Sequence, residues 1–171
     1  LRNSSAASDV YKRQVKKKGY AILVEGYFDV LSLNQLGYSN SASPSGTALT
    51  IQQLEAISRY TNKILLCFDN DEAGLKATER VLEIKNQVSN QLEIHCLNLP
   101  EKYKDISELY EENEEIFSII LKDNLEIIEF LIDKFIESTS DKKNIFNYFM
   151  KITAYLSPLE VDVSLDLLSS K

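Results

Sequence analysis

The sequence predicts an α/β domain on a mostly parallel four-stranded sheet, followed by an all-α helical subdomain. Up to Pro100, short apolar runs alternate with stretches of helical spacing, and β and α segments alternating at this length require crossover connections. Beyond Pro100 no further β-type run appears, and the chain turns helical, acidic and rich in Ile, Leu and Phe. With 44% hydrophobic and 26% charged residues among 171, the composition supports a real core and argues against wholesale disorder.

Tyr20 to Val24 is the first strand, ending in Glu25-Gly26. Phe28, Leu31 and Leu33 give helical spacing to Tyr27 to Gln35, which Gly37 stops. Tyr38 to Ala42 reads as a second strand, and a loop with Pro44 and Gly46 follows. Thr50 with Gln53 three residues on forms a capping box that starts a helix through Ile51, Leu54 and Ile57. Lys63 to Phe68 is the third strand, Asp69-Asn70-Asp71 the turn, and Glu72 to Val88 a helix with Ala73, Ala77, Val81 and Ile84 on its apolar stripe. Leu92 to Leu97 is the fourth strand. Further on, Ile106 to Tyr110 and Lys143 to Tyr155 read as helices, and Glu114 to Phe135 as one helix or two divided near Asn124. Ser157-Pro158 starts another that reaches Lys171 without a stop signal, so the C-terminus reads as truncated.

Residues 1–14, LRNSSAASDVYKRQ, start with Leu instead of Met and are small, polar and aperiodic. They read as a disordered or non-native leader outside the fold, or as an ordinary flexible arm. The domain division is then 1–14 leader, 15–100 α/β catalytic domain and 101–171 helical subdomain. No apolar run approaches the roughly 18 residues a spanning helix needs. Cys67 and Cys96 each sit in a strand-like run, which points to core thiols and a reducing, cytoplasmic setting. A lone His95 with no Cys pair excludes an obvious zinc site, and Tyr60, Tyr103, Tyr110 and Tyr155 read as packing residues.

The net charge is −7, divided as +5 over residues 1–20, −4 over 21–100 and −8 over 101–171. Such acidity repels nucleic acid unless metals or a basic partner segment change the sign.

Glu25 closes the first strand, and Asp69 and Asp71 follow the third, 44 to 46 residues later. In a parallel sheet those ends share one edge, where open α/β sheets bind ligands. Asp69 and Asp71, two apart in extended chain, can face one ion together, and Asp29 lies a helical turn beyond Glu25, placed to join or orient them. Carboxylates without His or Cys suit Mg²⁺ or Mn²⁺. Against this, Asp69 or Asp71 can simply cap the Glu72 helix. A lone Asp-x-Asp is more often a cap, and Glu25-Gly26 at the matching strand end tips the reading toward a site. Gly46-Thr47 can offer backbone N–H groups to a phosphate, and Lys76 and Arg80, just past Asp71, are placed to meet one.

ILVEGYFDVLSLNQLGYSNSASPSGTALT followed by ILLCFDNDEAGLKA closely resembles the TOPRIM segment of bacterial DNA primases of the DnaG type. The resemblance runs in detail over residues 21–110 and loosely to Lys171, and it implies a Rossmann-like TOPRIM fold. Glu25-Gly26-Tyr27-Phe28-Asp29, the Ser45 to Thr50 loop and Asp71-Glu72-Ala73-Gly74 carry it. It implies that Glu25, Asp69 and Asp71 are metal-site carboxylates, that Asp29 supports them, and that Asp105 joins them. In the family's later Lys-Asp-Pro-Asp-Glu motif this chain has Lys104-Asp105-Ile106-Ser107-Glu108, so a second ion is held less fully here, or through Glu108. The resemblance further implies RNA primer synthesis on a single-stranded DNA template from ribonucleoside triphosphates, by nucleotidyl transfer with two Mg²⁺ or Mn²⁺ ions. Zinc would belong only to an N-terminal module, and the replicative helicase to a C-terminal region, both outside this sequence. With few cations of its own, the chain alone is expected to be inactive. Two rival readings stand beside this: another TOPRIM enzyme (nuclease, topoisomerase or recombination factor), or a noncatalytic interaction segment whose carboxylates are caps.

Overall fold

The computed structural model describes residues 5–44 and 46–170. The helix α1 (Ser5–Lys18) precedes β1 (Tyr20–Val24), α2 (Tyr27–Gln35), β2 (Ser41–Ala42), α3 (Ile51–Ser58), β3 (Lys63–Cys67), α4 (Glu72–Lys85) and β4 (Glu93–Cys96). Then follow α5 (Ile106–Glu112), α6 (Glu114–Lys122), β5 (Leu125–Glu126), α7 (Ile127–Ser138), α8 (Lys142–Thr153) and α9 (Pro158–Ser169). The sheet order is β2-β1-β3-β4-β5. β2, β1, β3 and β4 are parallel, with Val24 opposite Cys67.

The apolar runs of β1 and β3 are buried on both faces, as parallel strands covered by helices are. Alternation divides them between two cores. Ala21, Leu23, Ile64 and Leu66 pack with residues of α3, α4, α7 and α8, whereas Ile22, Val24, Leu65 and Cys67 pack with α2, α5 and α6. The helices after Pro100 therefore cover both faces of the one sheet.

Four elements depart from the sequence reading. β5, antiparallel to β4 with His95 opposite Glu126, adds a fifth strand where none was expected. The link between α6 and α7 runs along the β4 edge and pairs its backbone groups. Residues 5–14, expected outside the fold, are helical, while residues 1–4 lie outside the described residues. Tyr11 and Val15, four apart, supply an apolar stripe there, and Val15 is fully buried. In α2 the expected stripe is mostly turned outward: Phe28 and Leu31 are exposed, and Asp29, Ser32 and Leu33 are buried. In α4 the buried stripe is Gly74, Thr78, Val81 and Leu82, with Ala73 exposed.

Thr50 caps α3 in a capping box with Gln53, and Ser157 caps α9 with Glu160. Among the described residues, no helix is long and apolar enough to cross a membrane.

Candidate active site

Because β1 and β3 are paired in register, the residues just past them emerge side by side at the carboxyl edge. Glu25 Oε1 accepts the Asp69 backbone N–H at 3.1 Å, a bond across the crevice between residues 44 apart in sequence. The Ser43 hydroxyl donates to the Glu25 backbone oxygen, tying the β2 end to the same point.

Asp29 sits in the first turn of α2, 6% exposed. Its Oδ2 accepts the Gly26 N–H at 3.0 Å, and its Oδ1 accepts the Ser107 hydroxyl at 3.0 Å. The segment before α5 closes over the crevice: Asn70 N–H donates to the Lys104 carbonyl at 2.7 Å, and the Lys104 ammonium lies 3.5 Å from Asp69 Oδ2. Asp105 caps α5, accepting the Glu108 N–H at 2.9 Å.

A cavity of about 670 Å³ opens here, lined by Glu25, Asp29, Asp69 and Asp105 together with Phe28 and Arg80. Gly46 and Thr47 form another part of its wall. Ser45 of the same loop lies outside the described residues.

The carboxylates disturb one another. Burial raises the pKa of Glu25, and the charges of Asp69, Asp71 and Asp29 add to the rise against the Asp69 N–H bond. Burial likewise raises Asp69, with Asp29 adding and Lys104 opposing. Asp29 is raised by burial despite its Ser107 and Gly26 hydrogen bonds. A cation in the cavity would relieve this cost.

Three expectations are corrected. Asp71 does not face the cavity beside Asp69; its Oδ1 caps α4, accepting the Ala73 and Gly74 N–H groups at 2.9 Å each. The chain leaves the strand after Cys67, so two-residue alternation no longer holds there. Lys76 is exposed and paired with Glu72 at 2.6 Å, one helical turn away, and lies outside the cavity. Glu108 is not among the residues lining the cavity, and its carboxylate accepts the Lys104 backbone N–H at 2.8 Å. Arg80 does line the cavity while pairing with Glu83 at 3.0 Å. Among the described residues no three acidic, His or Cys side chains form a ready ion shell.

Sequence reasoning missed three participants. Ser107 fixes Asp29, Lys104 meets Asp69, and Phe28 stands at the rim instead of in the core. The Lys104-Asp105-Ile106-Ser107-Glu108 segment was a signal for the first two, but Phe28 had none beyond an apolar spacing that suggested burial. Cys67 and Cys96 are buried as expected, and His95 pairs with Glu93.

The parallel sheet with acidic strand ends defines an α/β domain of the Toprim kind, and the chain belongs to the Toprim-like family, whose profile matches residues 22–110, just over half of it. Its relatives are DNA primases. It is 35% identical to the DNA primase of Campylobacter jejuni over 172 residues, covering 96% of this chain and 28% of that protein. With the DNA primase of Aquifex aeolicus it shares 34% identity over 139 residues, covering 81% and 28%. The crystal structure of the Aquifex aeolicus primase, with its zinc binding and RNA polymerase domains, matches 95% of this chain and 39% of its own, with TM-score 0.71 and 29% identity. The RNA polymerase domain of Mycobacterium tuberculosis primase DnaG shares the fold, with TM-score 0.80 at 20% identity over 96% of this chain and 55% of its own. The chain thus spans under a third of the length of these curated relatives.

Proposed function

We propose that this chain carries the active centre of a DNA primase, acting in template-directed synthesis of RNA primers for replication. The observation that carries the proposal is the convergence of Glu25, Asp29, Asp69 and Asp105 on one cavity at the sheet's carboxyl edge, in a chain similar to DNA primases. The donor set fits a hard cation: the residues are carboxylates with no His or Cys lining beside them, and burial and neighbouring charge raise the pKa of Glu25 and Asp69. Glu25, Asp69 and Asp105 would hold Mg²⁺ or Mn²⁺. When bound, such ions neutralise the phosphate charge that develops as a 3′-hydroxyl displaces pyrophosphate from a nucleoside triphosphate.

The protein's own residues position. Asp69 N–H fixes the Glu25 carboxylate, and Gly26 N–H with the Ser107 hydroxyl fixes Asp29. Arg80 and the backbone of Gly46 and Thr47 offer charge and N–H groups to phosphates. Single-stranded DNA and ribonucleoside triphosphates are the substrates of this reading, and a replicative helicase its cytoplasmic partner. The test is primer synthesis on single-stranded DNA with Mg²⁺ and ribonucleotides, by this chain and by the chain extended N-terminally through a basic template-gripping segment. The extended chain should be active and lose that activity with Glu25→Gln and Asp69→Asn together. A double variant that stays active would sink the assignment, and robust synthesis by the chain alone would sink the claim that its net charge of −7 leaves the template unheld.

A further inference from the structure

Phe28 is 75% exposed and Tyr27 beside it 60%. Both stand in the first turn of α2, where Phe28 immediately precedes Asp29 and follows Glu25 by three residues. The rings meet edge to face, with centroids 6.4 Å apart and planes at 65°. Phe28 also lines the carboxylate cavity, whereas the other aromatic there, Phe68, packs against the core behind it. Single exposed apolar side chains are ordinary, but Phe28, with the exposed Tyr27 ring against it, lies in the wall of the acidic cavity, where the apolar face of a ligand can meet it.

The remaining walls limit what that ligand can be. Arg80 and the Gly46-Thr47 backbone offer a cation and N–H groups, while the carboxylates suit a cation-bound polyanion. A molecule with phosphates at one end and a flat π-face at the other satisfies both ends, and a cavity of about 670 Å³ falls in the range that takes one small ligand.

We infer that Phe28, steadied by Tyr27, is a stacking platform for a nucleobase whose phosphates lie over the Glu25–Asp69 crevice. The inference rests on the proposed function and adds a positioning residue to it. Because any base has a π-face, the contact serves affinity and placement without selecting among bases. The base can belong to a free nucleotide or to a single strand, and the experiment separates the two.

The probes are ATP and inorganic tripolyphosphate, each with Mn²⁺, titrated calorimetrically into the 171-residue chain. Phe28→Ala should weaken ATP about tenfold and leave tripolyphosphate unchanged, and Phe28→Trp should keep the ATP affinity. A short thymidine strand and an abasic strand of the same length form the second arm. Loss confined to the thymidine strand assigns the platform to a strand base, and loss with ATP to the nucleotide. Loss in neither arm, or an equal loss for tripolyphosphate and ATP, overturns stacking. If wild type binds neither ATP nor tripolyphosphate while its fold is intact, the underlying site reading fails, and stacking with it.

Discussion

Gly74 is where the site depends most directly on the absence of a side chain. A Cβ at this position would lie 2.0 Å from the Asp69 carbonyl oxygen, 2.9 Å from its carbonyl carbon and 3.0 Å from its nitrogen. An ordinary C···O approach is about 3.3 Å, so the first turn of α4 and the Asp69 turn must separate by about 1.3 Å. All three atoms are backbone, and no flexible side chain can yield instead. Gly74→Ala gains about 1 kcal/mol of helix propensity. Against it stand about 1–3 kcal/mol for overpacking and part of the roughly 1 kcal/mol cap that Asp71 gives through the Gly74 N–H. The net is destabilisation of up to about 3 kcal/mol. The same shift pulls the Asp69 N–H from Glu25 Oε1, so any rise in melting temperature with Mn²⁺ should shrink as well. Denaturant unfolding of wild type, Gly74→Ala and Ala73→Gly measures this, the last reporting propensity alone at an exposed neighbour. Gly74→Ala at or above wild-type stability would refute the argument that this glycine is held by close approach.

Asp71 caps α4 with one oxygen, so Asp71→Ala should cost about 1 kcal/mol without metal, while Asp71→Asn keeps the cap within a few tenths; because Asp71 is not in the cavity lining, Mn²⁺-dependent stabilisation should persist in Asp71→Asn, and its loss there would return Asp71 to the site. Burial works to raise the Glu160 carboxyl, but the Lys85 ammonium and Ser157 groups outweigh it and hold it below the usual range. Its contribution is therefore full above about pH 4.3 and lost as pH falls through the lower folded value. The melting-temperature gap between wild type and Glu160→Gln should close toward pH 3, and a gap constant from pH 7 to 3 would contradict the pairing. Cys67 and Cys96 are buried, and burial pushes both thiols up, so a thiol reagent should label neither at pH 7 until the chain unfolds; rapid labelling of the native chain would show that the sheet opens.

Much of the fold was legible because two periodicities separate cleanly in this chain. The runs Tyr20 to Val24 and Lys63 to Cys67 are apolar at every buried position, as strands covered on both faces must be. Caps at Thr50, Asp105, Ser157 and Asp71 marked or permitted helix starts. What was not legible lay where a short segment borrows its structure from a neighbour. Leu125–Glu126 is a strand only because the β4 edge is there to pair with, and no two-residue run announces that. Residues 5–14 carry too few apolar groups to signal a helix, yet Tyr11 and Val15 suffice once a core receives them.

At the site, the sequence offered capping and ligation as competing readings of the acids, and the geometry makes them partners. Asp71 and Asp105 each use one oxygen to accept helix N–H groups, and Asp29 accepts Gly26 N–H in the same manner. A cap fixes the carboxylate rotamer, and a fixed rotamer is the preorganisation an ion site needs; in Asp29 both oxygens are engaged, the second by the Ser107 hydroxyl. An acid at 107 would meet Asp29 Oδ1 with like charge, where the Ser107 hydroxyl instead donates to it. Ser107 thus exchanges a potential ligand for a fixed Asp29. A Ser107→Asp variant accordingly ought to lower stability without metal, by like-charge repulsion against Asp29, itself only 6% exposed, and regain more than wild type does on adding Mn²⁺. Equal metal responses in the two proteins would place position 107 outside the reach of any ion.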